Sequence, residues 1–92
     1  MGLEVVVDEA CELSEALRRL IAAGEPASIV MIDGALVMPG AAAPARWVDV
    51  RIKTTAGTFA VKRVGSGVAV VAFGNADGAT RTMQERLAAA FR

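Results

Sequence analysis

From Val48 to Gly74 the chain alternates apolar and polar residues and breaks only at two short turns. A period of two over strand-length runs predicts extended structure, and short turns between the runs predict antiparallel neighbours. The spacing gives strands over 47–55, 58–64 and 68–73, joined by Ala56-Gly57 and by Gly65-Ser66-Gly67. A two-residue turn at Ala56-Gly57 sets Thr55 against Thr58, Lys53 against Ala60 and Arg51 against Lys62. A three-residue turn after Val64 sets Val71 against Val61 and Phe73 against Phe59. The expected core face is then Val48, Val50, Ile52, Phe59, Val61, Ala69, Val71 and Phe73. A one-residue slip exchanges the two faces, so the pattern specifies register strongly.

Upstream, Leu3–Val7 is rich in β-branched residues and predicts a short strand. Leu13, Leu17, Leu20 and Ile21, extended by Ala10, recur at helical spacing and predict a helix over about 9–23. Asp8 suits its N-cap, Glu15 and Arg19 an i, i+4 pair, and Gly24 with Pro26 its end. Two apolar runs, 28–32 and 35–38, flank Asp33-Gly34, the strongest short hairpin signal in the chain. PGAAAPAR, residues 39–46, supports neither helix nor strand. Met83, Leu87 and Phe91 form the stripe of a last helix over about 78–91, capped by Asp77 or Asn75, with Arg81 and Glu85 paired on its outer side. The order is β-α-β-β-β-β-β-α, an α+β domain with a mainly antiparallel sheet and two helices.

Length and composition bound the rest. Ninety-two residues with 54% hydrophobic content make one domain with one modest core. The formal charge is zero, yet residues 1–33 hold seven acids and two bases while the remainder holds eight bases and three acids. The two halves can satisfy one another within one copy or between two. The single cysteine, Cys11, has no partner for an internal disulfide. With no histidine it has none for a zinc site or a Cys–His nucleophile either. No metal or cofactor is expected, and the composition suits a reducing cytoplasm. The first residues show no secretory signal, and no apolar run approaches a membrane span.

Chemistry is sparse. Without histidine or tyrosine there is no imidazole base and no conventional triad, so no enzyme activity is expected. Gly74–Gly78 lacks the Lys-Ser/Thr of a phosphate loop, and ordinary helix capping accounts for it. Cys11, among Glu9, Glu12 and Glu15, reads as a small structural residue. The distinctive feature is one sheet face. In the expected register Trp47, Arg51, Lys53 and Lys62 share a side with Val64, Val68, Val70 and Ala72. An antiparallel sheet wetted on that side would be polar there, so something is expected to cover it: the acidic first helix, a second copy or a protein partner. The candidate interaction face is Trp47, Arg51, Lys53, Lys62, Val68 and Val70. The competing reading is an anion or single-stranded nucleic-acid platform, with cations for phosphates and Trp47 for a base.

Residues Ala27 to Met38 and Arg51 to Phe91, a hairpin, then a meander, then a helix, loosely resemble the Roadblock family of dimeric adaptor domains. That family carries a helix between its second and third strands where this chain has PGAAAPAR, and this chain has an extra N-terminal strand. The resemblance implies a dimeric, non-catalytic module.

Overall fold

The computed structural model describes residues 3–38, 40–74 and 77–92. Its elements are β1 (Glu4–Val7), α1 (Leu13–Ala22), β2 (Ala27–Ile32), β3 (Ala35–Leu36), β4 (Asp49–Thr54), β5 (Gly57–Val64), β6 (Gly67–Ala72) and α2 (Gly78–Phe91). Order and class are those the pattern predicts. All strands join one antiparallel sheet, β1-β6-β5-β4-β2-β3. The hairpins β2–β3, β4–β5 and β5–β6 are sheet neighbours; β4 returns to the other side of β2, leaving β3 at one edge, and β1 lies beside β6 at the other.

One face of the sheet is apolar in rows. Val5, Val70, Val61, Val50 and Ile32 stand side by side across five strands, and Ile29, Ile52, Phe59 and Ala72 form a second row. Leu13, Ala16 and Leu20 of α1 and Met83, Leu87 and Phe91 of α2 close over these rows. Gln84 is the polar exception in α2. Its buried Nε2 donates to the Leu3 carbonyl at 2.7 Å and the Val70 carbonyl at 2.9 Å, tying α2 to the β1–β6 edge.

The hairpins explain where the expected register fails. Asp33 (φ 49°) and Gly34 (φ 84°) form the β2–β3 turn with both central residues at positive φ, as a type I′ turn requires. The next turn is Thr55-Ala56, not Ala56-Gly57. Thr54 Oγ1 accepts from the Ala56 N–H and donates to the Gly57 carbonyl, which fixes the bend one residue earlier. Gly57 (φ 110°) then carries the left-handed position at the start of β5. Pairing shifts by two: Arg51 faces Ala60, and Lys62 faces Asp49 instead of Arg51. An even shift keeps each side chain on its face.

After β5 the turn has two residues, not three. Gly65 (φ 58°) followed by Ser66, with Val64 paired to Gly67, matches a type II′ turn. This odd shift exchanges the faces of β6. Val68, Val70 and Ala72 enter the core, while Ala69 and Val71 turn to the other side with Lys62 and Ala60. Phe73, expected in the core beside Phe59, is 50% exposed. Val48, also expected there, precedes the first paired residue of β4 and is exposed.

Other corrections are local. The first helix starts at Leu13, with Glu12 rather than Asp8 at its N-cap position. Residues 8–11 serve other carbonyls first: the Ala10 N–H donates to Ser66 and the Cys11 N–H to Phe91. Ile21, expected in the stripe, is exposed; Ala16 is buried instead. The second strand of the first hairpin spans two residues, not four. Arg81 and Glu85 are not among the ion pairs of the described residues, which join Glu15 to Arg18 and Arg19, Asp49 to Arg51, and Glu25 to Arg86. Asp77 caps α2, accepting from the Thr80 N–H at 2.8 Å. That bond, with the Thr80 side chain helping, holds its carboxyl below the usual aspartate range. Asn75, the other cap considered, lies outside the described residues.

At Gly34 and Gly57 an added Cβ would meet nothing within 4 Å, so any penalty there is conformational. Gly34→Val and Gly57→Val should each lose at least about 1 kcal/mol, because β-branched residues tolerate positive φ badly. Thermal melts of the two variants check this; unchanged midpoints in both would mean the hairpins are wrongly drawn.

Candidate interaction face

Helices lie on one side of the sheet only, and the other side is where the charged strand residues gather. Its middle row runs Glu4, Val71, Ala60, Arg51, Met31 and Leu36 across all six strands. A second row holds Val6, Ala69, Lys62 and Asp49. A third includes Thr58, Lys53 and Ser28. Alternation in each strand produces this face from the positions that the core does not use.

Arg51 sits near the centre. Its guanidinium carbon lies 4.8 Å from the centroid of the Phe73 ring, and its Nε lies 3.6 Å from Asp49 Oδ1. To reach Phe73 from β4 the side chain crosses β5, over Ala60, which has no exposed surface. Small residues at Ala60 and Ala69 leave the middle of the face shallow. Around it stand Val6 (48% exposed), Val64 (52%), Phe73 and Leu36 (83%). Exposed apolar side chains gathered on one surface go beyond the isolated ones every protein carries. Asp33 sets the entry to this face: its Oδ1 accepts from the N–H groups of Asp49 and Val48, which hold the carboxyl below the usual aspartate range. The bonds pin the first hairpin to the start of β4.

The six candidate residues divide between two faces. Arg51, Lys53 and Lys62 share the uncovered face, as expected. Val68 and Val70 are core residues, displaced by the one-residue shift of β6. Trp47 is 4% exposed and packs in the core. The Arg63 guanidinium covers its ring at 4.4 Å, and Arg63 Nε donates to the Trp47 carbonyl. Trp47 precedes β4, so strand alternation did not govern it. The residues missed were Val6, Leu36, Val71 and Phe73; Gly-Ser as a two-residue hairpin signal would have located the last two.

The acidic first helix does not cover this face, because α1 packs on α2 and β2 on the core side. Its Arg19 instead serves α2, with Nη1 donating to the carbonyls of Ala90 (3.1 Å) and Arg92 (2.9 Å). Cys11 adds its S–H to the Ala90 carbonyl at 3.3 Å, so the thiol sits in the joint between the helices. Glu15 bonds Arg18, which draws its carboxyl below the usual range. Among the described residues no three His, Cys, Asp or Glu side chains gather as metal ligands, and no helix is long and apolar enough to cross a membrane. Compared with known protein families, with curated proteins and with solved structures, the chain finds no match in any of the three.

Proposed function

We propose that this domain is a non-catalytic interaction module that self-associates through the helix-free face of its sheet. The observation that carries the reading is the asymmetry of the two faces. Both helices sit on one, and the other presents Val6, Val64, Phe73 and Leu36 around a shallow centre at Ala60 and Ala69. Burying such a surface against a second one is favourable in proportion to the apolar area removed from water. A separate protein partner would use the same face. The free thiol at Cys11 and the lack of disulfides suit a reducing compartment, and we place the domain in the cytoplasm on that ground. The competing reading, binding of an anion or single-stranded nucleic acid, keeps Arg51, Lys53 and Lys62 on one face. It loses Trp47 as a stacking surface, and Arg51 already occupies Phe73.

Val71 is the residue to change, since it is half-buried in the middle row of the face beside Ala60 and points away from the helices. Val71→Asp should weaken self-association by about tenfold or more, since an unpaired charge is costly to bury. Light scattering across a concentration series reads the mass, and circular dichroism shows that the fold survives. Assembly dominated by apolar burial should change far less between low and high salt than oligonucleotide binding, which would fall steeply. A wild type that stays monomeric at high concentration while binding a short oligonucleotide at low salt would replace this reading with the other.

A further inference from the structure

We infer that the second copy lies face to face with the first about a twofold axis parallel to the strands, above the boundary between β4 and β5. This rests on the self-association just proposed and specifies its geometry. Three observations select the axis. The first is the middle row, Glu4-Val71-Ala60-Arg51-Met31-Leu36. A twofold along the row, perpendicular to the strands, would set every member on its own copy, Glu4 on Glu4 among them. Like charges brought together in an interface are costly. A twofold parallel to the strands instead lays the row on its reverse. Val71 then meets Met31 of the second copy, and the long Arg51 crosses the small Ala60.

The second observation is the row beside it. Lys62 on β5 and Asp49 on β4 flank the same boundary. The axis above that boundary places Lys62 on the second copy's Asp49 and the reverse, two equivalent ion pairs. Among the described residues Lys62 makes no ion pair within its own chain. Both contacts adjoin the axis, where the rotation of about 30° between packed sheets displaces residues least.

Area is the third. Strands of 4, 6, 2, 6, 8 and 6 residues, at ~3.3 Å per residue and ~4.8 Å apart, project on the order of 500 Å², little enough beside the ~800 Å² of accessible surface that each partner buries in a standard interface. An axis moved to another strand boundary would leave strands overhanging and take the contact below that size. The centred axis uses the whole sheet.

Single cysteines on a Cys11→Ser background test the arrangement with a short bis-maleimide. Thr58 is exposed on β5, next to the axis, so the two copies of Thr58→Cys lie about one strand spacing apart laterally and should cross-link. Leu36, exposed on β3, lies at the outer edge; its two copies stand about five spacings, ~24 Å, apart and should not. The expected result is covalent dimer from Thr58→Cys and only background from Leu36→Cys. Efficient cross-linking of Leu36→Cys without Thr58→Cys, in a protein that scatters as a dimer, would overturn the axis while leaving self-association standing. A dimer in which neither links also rejects it. A monomer at every concentration would remove the underlying reading itself.

Discussion

Gly67→Ala should destabilise the domain by about 3 kcal/mol or more, at or beyond the upper end of ordinary overpacking. Gly67 opens β6 and needs no unusual φ. Its constraint is space: an added Cβ would fall 1.9 Å from the Val7 carbonyl oxygen and 2.6 Å from that of Asp8. Both obstacles are backbone, so no rotamer change relieves the clash. The end of β1 would have to leave β6, and the Ser66 bonds to Ala10 and Asp8 would go with it. In a domain of this size each kcal/mol moves the melting midpoint by roughly 4–8 °C, so a fall of about 12 °C or more is expected. Gly65 is the control for a different cause, since it has open space but φ of 58°. A Gly67→Ala midpoint within 2–3 °C of wild type, on the same scale, would show that β1 does not end against β6.

Phe59→Ala should lose about 3–5 kcal/mol, whereas Phe73→Ala should stay within about 1 kcal/mol. Both are phenylalanines near the same end of adjacent strands, and alternation alone separates them. Phe59 points to the helices, 1% exposed, in the row with Ile52 and Ala72. Phe73 lies on the other side and contributes chiefly a partly exposed cation–π contact with Arg51. Urea titrations give both values with one method. The second variant carries more information in a different readout: it should weaken self-association while keeping the fold. Equal losses of stability would mean that β6 has the register first expected, with both rings inside.

How much could be read before the fold was seen depends on which physical signal governed each residue. Order, class and both helices follow from periodicity, a property that a dozen residues share. The Asp33-Gly34 turn was legible because positive φ at two successive positions selects very few residue pairs. Register was less secure, because it hangs on the bend alone. At Thr54 one hydroxyl moved the bend without changing which side chains face the core. At Gly65-Ser66 one residue of loop length exchanged the faces of a strand whose members, Val-Ala-Val-Val-Ala, are apolar on both sides. Nothing in that run opposes the wrong choice. Arg51, Lys53 and Lys62 were placed correctly because β4 alternates cleanly with charge and the shift between β4 and β5 is even. Trp47 was not, because it precedes the strand and its ring is covered by Arg63, which also bonds its carbonyl, a contact that local periodicity does not reveal.

Glu4 to Val7 pair with residues 68–71, and the Cys11 amide is bonded to the carbonyl of Phe91. The two ends of the chain are therefore stitched into each other. During synthesis β1 has no place to go until β6 exists, and α1 finds its main neighbour only with α2. The central hairpins can form early, but closing the two ends waits for contacts of the longest range the chain allows, and such contacts form slowly. Both helices that cover the core side of the sheet come from these two ends, so the core closes last.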